Sequence, residues 1–105
     1  MKKVLITGGA TGIGAACAAL FRDSGYDVYV TVHHSPCTLT GVTAVECDLT
    51  SLGGIEALFE KVGDVDVLVN NAGVSLIKMI NDVTEEEYDS VTAVNEKAVY
   101  FCSKF

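Results

Sequence analysis

A glycine-rich segment near the amino terminus constrains the possible fold of this chain more than any other feature. Residues 7–14 read Thr-Gly-Gly-Ala-Thr-Gly-Ile-Gly and follow a short apolar run, Val-Leu-Ile, at residues 4–6. Between a strand and a helix, such glycines let the backbone turn sharply and let a diphosphate approach the free N–H groups of the helix. The segment is not a P-loop, because no Gly-Lys-Ser/Thr follows, and it is not G-x-G-x-x-G, because Cys17 is the third residue after Gly14. The sequence therefore predicts a strand, a turn and a helix, and leaves open whether the turn binds a diphosphate or nothing.

The rest of the chain alternates between strand and helix patterns. Apolar or β-branched runs at residues 28–32, 43–45 and 65–69 predict three more strands. Three helices are predicted, from Gly12 to a stop at residues 24–25, from Thr50 or Ser51 to Gly63, and from Thr84 to the chain end. This order predicts right-handed crossovers and an open parallel sheet with helices on both faces.

Apolar spacing also predicts which helix faces are buried. In the first helix the predicted buried residues are Ile13, Ala16, Cys17 and Leu20. In the second helix they are Ile55, Leu58, Phe59 and Val62. In the last helix they form the stripe Tyr88, Val91, Asn95, Ala98 and Cys102. The amide in this last stripe is unusual, because a buried amide needs hydrogen-bond partners.

Composition limits the number of domains and excludes several kinds of partner. The chain has 105 residues, half of them apolar, which fits one domain with a buried core. Its formal net charge of −7 opposes binding to nucleic acid, whose phosphates attract basic proteins. No apolar run approaches the ~20 residues that cross a bilayer and no signal peptide is evident, so we expect a cytoplasmic protein without a membrane partner. The four cysteines form no C-x-x-C pair and have no histidine at ligand spacing, so no metal site is predicted.

The pattern T-G-x-x-x-G-x-G, formed by Thr7, Gly8, Gly12 and Gly14, resembles the cofactor loop of the short-chain dehydrogenase/reductase family. Members of this family are NAD(P)-dependent oxidoreductases. Three further segments resemble family motifs in the same order, namely Cys47-Asp48-Leu49, Asn70-Asn71-Ala72-Gly73 and Val94-Asn95. The resemblance implies an α/β fold with a Rossmann-type doubly wound parallel sheet, truncated after about four strands. It also implies that residues 1–105 form a single NAD(P)-binding domain that is incomplete at its carboxyl end relative to the family.

The resemblance implies a role for each of these segments. Asp48 would accept a hydrogen bond from the adenine amino group, and the Asn-Asn-Ala-Gly segment would steady the sheet and line the cofactor site. Asn95, the one catalytic candidate, would help to hold the water of the proton relay. The implied cofactor-binding residues are Gly8, Thr11, Gly12, Ile13, Gly14, His33, His34, Ser35, Asp48, Leu49, Asn71, Ala72 and Gly73.

Each of these polar residues also has a simpler interpretation, which the sequence leaves open. Asp48 could act as a negative charge near the start of the second helix. Asn70 and Asn71 could be ordinary turn residues, since Asn tolerates left-handed geometry. Asn95 could be a structural asparagine bonded to backbone.

Cofactor choice depends on the end of the second strand. A carboxylate there would bind the ribose 2′-hydroxyl of NAD and repel the 2′-phosphate of NADP, but the resemblance aligns Val32 with that position. Ser35 and a protonated His33 or His34 could donate to a 2′-phosphate. We therefore expect NADP, with NAD possible.

The residues that carry the family's chemistry have no clear counterpart in this chain. They are a serine and a Tyr-x-x-x-Lys pair, and the one tyrosine followed four residues later by lysine is Tyr100, with Lys104 on the last helix. We interpret that pair as chance.

We therefore expect the N-terminal part of a short-chain oxidoreductase that acts on a small carbonyl or alcohol, inactive by itself. Strand 65–69 would form an open edge, and the last helix meets a partner subunit in the family, so we expect a homo-oligomer. Two alternatives remain, a non-catalytic dinucleotide-binding or regulatory module complete at Phe105 and a remnant that binds nothing.

Overall fold

The computed structural model describes residues 1–33, 36–73 and 80–105, and its elements alternate as the sequence predicts. The strands are β1 (Lys3–Ile6), β2 (Asp27–Val32), β3 (Thr43–Glu46) and β4 (Val67–Val69). The helices are α1 (Gly12–Asp23), α2 (Leu52–Val62), α3 (Glu85–Thr92) and α4 (Ala98–Lys104). A short 3-10 helix, Ile80–Asp82, precedes α3, and a π-helical turn, Ala93–Lys97, joins α3 to α4. The last predicted helix is therefore one uninterrupted helical segment that contains a single wider, π-helical turn.

The four strands form one parallel sheet in the order β3-β2-β1-β4. The central strand β1 is the most buried, and its Leu5 lies opposite Tyr29 of β2 and Leu68 of β4. This confirms the predicted α/β class with a parallel Rossmann-type sheet. Because all four strands run in the same direction, the loops at their carboxyl ends meet at one edge of the sheet.

Helices cover both faces of the sheet, as expected for a doubly wound fold. On one face, Ala18 of α1 packs with the β-branched residues of β1 and β2. On the other face, Leu58 and Val62 of α2 pack on Leu5 and Val45. Ala98 and Cys102 of α4 extend that second layer by packing on Ile55. The buried residues predicted for α2 are confirmed, with Phe59 half-buried at the side.

The buried face of α1 differs from the predicted one. Ile13 and Leu20, which were expected to be buried, are 78% and 69% exposed, and Ala16, also expected to be buried, is exposed as well. The residues that are buried or partly buried against the sheet lie at i, i+3, i+4 and i+7, namely Gly14, Cys17, Ala18 and Phe21. Residues 13–21 are all apolar or glycine, so apolar spacing could not select a face, and close packing of the first turn on the preceding loop decides the rotation.

Side-chain caps fix the starts of the second and third helices. The Ser51 hydroxyl accepts a hydrogen bond from the Gly54 N–H at 3.1 Å, so Ser51 and not Thr50 caps α2. At the start of α3, Thr84 and Glu87 form a reciprocal capping box, as their spacing predicts. These caps hold two helix starts at fixed positions relative to the edge where the strand loops meet.

Strand β4 forms an edge of the sheet, as expected. In the part of the chain that the structure describes, it pairs with β1 and has no neighbour on its other side. Its three residues, Val67 to Val69, are half-buried. An apolar strand with one free side has unused backbone donors and acceptors for a further strand.

Neither a membrane span nor a metal centre occurs among residues 1–33, 36–73 and 80–105. No helix in these ranges is both long and apolar enough to cross a bilayer. Nor does any group of three His, Cys, Asp or Glu side chains there have the geometry to hold a metal ion.

Candidate functional site

A cavity of about 530 Å³ lies at the edge of the sheet where the four strands end. Loops after all four strands contribute to it, and α3 and the π-helical turn border it. The residues that line it are Gly8, Thr11, Thr31, Val32, His33, Cys47, Asp48, Leu49, Thr50, Asn71, Ala72, Gly73, Ser90 and Val94. The structure thus brings most of the predicted cofactor residues together.

Several predicted residues do not line this cavity. Gly12, Ile13 and Gly14 lie in the first turn of α1, beside the cavity but not among its lining residues, and Asn95 is also absent from the lining. His34 and Ser35 lie outside the described residues.

Thr7 joins the end of β1 to the segment after β4. Its side chain is buried, and its hydroxyl oxygen accepts hydrogen bonds from the backbone N–H groups of Asn71 and Ala72, each at 3.1 Å. Its own N–H donates to the Val69 carbonyl at 3.1 Å. A threonine at this position therefore fixes where the Asn-Asn-Ala-Gly segment leaves the sheet.

Asn71 holds the glycine turn from the same side. Its Nδ2 donates to the carbonyl oxygens of Thr7 and Gly8, at 3.2 and 3.1 Å. The neighbouring Asn70 points elsewhere, and its Nδ2 lies 3.5 Å from the Ser103 hydroxyl on α4. Asn71 is therefore more than an ordinary turn residue, because its amide ties β4 to the turn after β1.

The glycines of the turn serve different purposes. Gly8 and Gly12 have φ values of +66° and +58°, which favour glycine. A Cβ at Gly12 would meet nothing within 4 Å, whereas a Cβ at Gly8 would lie 3.1 Å from the Ala72 Cα. Gly12 therefore leaves open space beside the first turn of α1, and Gly8 permits contact with the β4 loop.

Gly14 packs closely against the protein, so a side chain there would have no room. A Cβ there would overlap the Asn71 Nδ2 and lie 2.6 Å from the Gly8 carbonyl oxygen. Gly9, which the sequence analysis did not single out, is just as tight, since its Cβ would lie 2.8 Å from the Val30 Cβ. Both glycines let the turn pack closely between β2 and β4.

The amino end of α1 has the electrostatics of an anion site. The N-cap residue, Thr11, makes no side-chain capping hydrogen bond, and the first turn contains no acidic residue. The first N–H groups of a helix have no partners inside it, and the helix dipole is positive at this end. Thr11 also lines the cavity, so this helix end borders the space that a phosphate would occupy.

Asp48 shapes the loop before α2 and also lines the cavity. Its Oδ1 accepts hydrogen bonds from the Thr50 N–H at 2.9 Å and the Thr50 hydroxyl at 2.6 Å, which shapes the loop before α2. The same residue is exposed and lines the cavity next to Leu49. The carboxylate therefore organises the start of the α2 region while facing the site.

Two buried thiols have raised pKa values. Burial, and secondarily the charge of Asp48, raises the pKa of the Cys47 thiol. Burial, with a smaller contribution from Cys47, raises the pKa of Cys102 to about 11. Thiols are nucleophilic when ionised, so Cys47 lines the cavity as a neutral, small apolar group.

Asn95 is exposed, which contradicts its expected place on a buried stripe. It lies in the π-helical turn Ala93–Lys97, and Tyr88 of the same predicted stripe is 62% exposed. A π turn contains one residue more than an α turn, so the spacing on its two sides is out of register. Ala98 and Cys102, after the turn, are buried as predicted. The Asn95 Oδ1 still lies near the strand loops, 3.4 Å from where a Cβ of Gly73 would be.

The cavity also contains residues that the sequence analysis did not assign to it. They are Thr31, Cys47, Thr50, Ser90 and Val94. Val32 also lines the cavity, and the sequence had indicated it only as the position that affects the choice between NAD and NADP. Ser90 and Val94 are separated by one helical turn, a spacing that indicates a shared face but not which face is inward. The sequence offered one indication of a role for Thr31, because a buried hydroxyl in a mostly apolar strand needs a hydrogen-bond partner.

Tyr100 and Lys104 lie away from this cavity. Tyr100 is 67% exposed and lines a separate depression of about 650 Å³ along α3 and α4. The Lys104 Nζ lies over the rings of Phe101 and Phe105, 5.9 and 5.6 Å from their centroids. This arrangement agrees with a chance spacing of the two residues.

Comparison with known proteins identifies the group to which the chain is similar. The family model described as short chain dehydrogenase matches residues 2–105. D-xylose 1-dehydrogenase of Caulobacter vibrioides is 38% identical over an alignment of 113 positions, which covers 98% of this chain and 46% of that protein. The 3-oxoacyl-(acyl-carrier-protein) reductase MabA of Mycobacterium tuberculosis is 38% identical over 98 residues, covering 90% of this chain and 39% of the reductase.

Solved structures give the same result. A short chain dehydrogenase from Burkholderia cenocepacia, solved in complex with NADP, superposes with a TM-score of 0.85 at 30% identity. The superposition covers 98% of this chain and 48% of that structure. The chain therefore spans less than half the length of the relatives and the solved structure that it matches.

The close packing of Gly14 predicts a large effect of one methyl group. We expect Gly14→Ala to lower the free energy of unfolding by about 1–3 kcal/mol, because the new Cβ must displace Asn71 or the Gly8 carbonyl. Urea unfolding followed by circular dichroism measures this change.

Gly53→Ala is the matched control, since its Cβ would meet only the Ser51 hydroxyl, at 3.9 Å. Placing alanine in that helix should stabilise the protein by about 0.5–1 kcal/mol. Equal stability of Gly14→Ala and the unaltered chain would show that the first turn of α1 is not tightly packed.

Proposed function

Because the chain belongs to the short-chain dehydrogenase/reductase family, we propose that it is the dinucleotide-binding part of an oxidoreductase that acts on a small carbonyl or alcohol. The observation that carries the proposal is the cavity of about 530 Å³ that the loops after all four strands share, with the glycine turn on one side. In open parallel sheets, ligands bind at this edge. The family supplies the cofactor class, NAD(P).

The diphosphate of the cofactor fits the amino end of α1. The open space at Gly12, the uncapped first turn and the adjacent Thr11 offer backbone N–H groups and a hydroxyl to phosphate oxygens. The Asn71 Nδ2 donates hydrogen bonds to the carbonyls of Thr7 and Gly8, and these bonds partly compensate the negative partial charge of the two oxygens. Repulsion between those carbonyls and the phosphates is thereby reduced.

The adenosine end fits the loops after β2 and β3. Asp48 and Leu49 line that part of the cavity, and a carboxylate there can accept a hydrogen bond from the adenine amino group. Since Oδ1 of Asp48 is already held by Thr50, the carboxylate keeps one orientation before the base arrives.

A preference for NADP over NAD is the finer part of the proposal. At the end of β2 the cavity is lined by Val32 and His33, so no carboxylate at these two positions repels a 2′-phosphate. Histidine donates hydrogen bonds to phosphate when protonated. The NADP complex of the Burkholderia cenocepacia relative supports the same choice for a chain of this fold.

Bound NADPH supplies a hydride, whereas the residues of this chain bind and orient the cofactor. Asn95, beside Gly73 at the cavity rim, is proposed to hold a water of the proton relay. Its amide can order a water but cannot act as an acid that donates a proton to a carbonyl oxygen. The proton donor and the groups that select the substrate must therefore be other residues of the whole protein.

Assembly into a homo-oligomer is also proposed. Along α3 and α4, Tyr88 and Tyr100 are 62% and 67% exposed. Large aromatic side chains are typical of protein interfaces, so this helix face suits a second subunit.

Cofactor selectivity at Val32 gives a direct test. The chain should bind NADPH more tightly than NADH, and Val32→Asp should weaken NADPH binding by about 5- to 150-fold through repulsion of the 2′-phosphate, corresponding to about 1–3 kcal/mol. Titration of cofactor fluorescence measures both affinities.

Val32→Asn is the control, because it has nearly the shape of aspartate without its charge. It should change the NADPH to NADH affinity ratio much less than Val32→Asp does. An unchanged ratio in the aspartate variant would contradict the placement of Val32 at the ribose, and no binding of either cofactor would contradict the proposed function.

Activity separates cofactor binding from catalysis. We expect the 105-residue chain to bind NADPH yet reduce no ketone or aldehyde above a control without protein. The physical reason is that Asn95, the proposed relay residue, orders a water but donates no proton to the carbonyl, and general acid–base catalysis contributes about 10²–10⁴-fold. A carbonyl panel followed by NADPH absorbance tests this, on protein of confirmed intact mass. Turnover that Tyr100→Phe abolishes would instead make the Tyr100 and Lys104 pair catalytic.

A further inference from the structure

We propose that Thr31 is a positioning residue for the cofactor diphosphate, acting through the peptide group of Gly8. This inference rests on the proposed function, because it assigns the means by which the same cavity keeps its glycine turn in shape. Thr31 is one of two buried polar residues in the described part of the chain, the other being Thr7. It is 2% exposed and belongs to β2, a strand that is otherwise mostly apolar.

The contact that carries the inference joins β2 to the glycine turn. The Thr31 hydroxyl oxygen accepts a hydrogen bond from the Gly8 N–H at 2.9 Å, across 23 residues of sequence. Gly8 has a φ of +66°, and its N–H points toward Thr31 of β2. A hydrogen bond to a buried acceptor stabilises that orientation, since an unpaired N–H in this place would be costly.

Gly8 is thereby held from both neighbouring strands. Thr31 binds its N–H from β2, and the Asn71 amide binds its carbonyl from the β4 side at 3.1 Å. A Cβ at Gly8 would lie 3.1 Å from the Ala72 Cα, so the Gly8 backbone packs closely on the loop after β4. With the Gly8 peptide fixed, the path of residues 9–12 into α1 is fixed as well.

The effect on binding is specific to the diphosphate. Residues 9–12 lead into the uncapped helix end where the phosphates are proposed to lie. Thr31 also borders the cavity. The next residue of β2, Val32, is proposed to lie at the adenosine ribose and takes no part in the hydrogen bond between Thr31 and Gly8. Loss of the hydroxyl should therefore weaken ligands that carry the diphosphate more than ligands that carry only the adenosine end.

Two substitutions separate the hydroxyl from the shape of the side chain. Thr31→Val keeps the branched shape and removes the acceptor, whereas Thr31→Ser keeps the acceptor and removes a methyl group. We expect Thr31→Val to weaken NADPH binding by about 10- to 100-fold, and Thr31→Ser to stay within about threefold of the unaltered chain. Adenosine 2′-monophosphate, which lacks the diphosphate, should bind all three proteins with affinities equal within about twofold.

Amide hydrogen exchange at Gly8 tests the hydrogen bond between the Gly8 N–H and Thr31 in the absence of any ligand. In the unaltered chain, the Gly8 amide should exchange slowly, and in Thr31→Val it should exchange at least tenfold faster while amides of β1 keep their protection. Rapid exchange at Gly8 in the unaltered chain would overturn the inference even if the valine variant did not fold.

The binding results have distinct meanings. Equal NADPH affinity of Thr31→Val and the unaltered chain overturns the inference, as does an equal loss for NADPH and adenosine 2′-monophosphate, which would show general damage. If the unaltered chain binds no NADPH, the proposed function fails and the ligand role of Thr31 fails with it. If the unaltered chain binds NADPH and Thr31→Val binds it equally well, the proposed function stands and only the positioning role of Thr31 is rejected.

Discussion

The hydrogen bonds that hold the Thr7–Gly8 peptide between two strands are the constraint on which the rest of the site depends. Thr7 and Asn71 tie the turn to the end of β4, and Thr31 ties it to β2. Close packing of Gly14 against this turn then fixes the rotation of α1. The helix end therefore reaches the cavity in one orientation, which a binding site for phosphate requires.

Parallel strand order converts this local arrangement into a site. Because β1 lies in the middle of the sheet, the loops after β2 and β4 flank the glycine turn, and the loop after β3 brings Asp48 to the same edge. The Gly8 N–H and carbonyl are hydrogen-bonded to Thr31 and Asn71, whereas the first N–H groups of α1 have no partners within the helix. An anion is the ligand that such an edge favours.

Sequence patterns predicted the elements well because each pattern had one physical meaning. The apolar run of β1 indicated a central strand, and the stripe of α2, with polar residues between its members, had one possible face. The uniformly apolar α1 had no such contrast, so its face was predicted wrongly. The π-helical turn at Asn95 was not visible in the sequence, because it adds a residue to one turn without any change in composition.

Resemblance to a family predicted several polar residues that line the cavity, and the structure shows what these residues contact within the chain. Asp48 and Asn71 were predicted to lie at the site and line the cavity, whereas Thr31 was missed because its partner lies 23 residues away. The close packing of Gly14 on Asn71 and the Gly8 carbonyl could not be predicted from the sequence, because it depends on the direction in which a Cβ would point.

The most direct measurement of the central claim is a crystal structure of the chain grown with NADP. The account predicts diphosphate oxygens within hydrogen-bonding distance of N–H groups at the start of α1, with the adenine ring beside Asp48. A cofactor bound along α3 and α4, or a diphosphate away from the glycine turn, would contradict it.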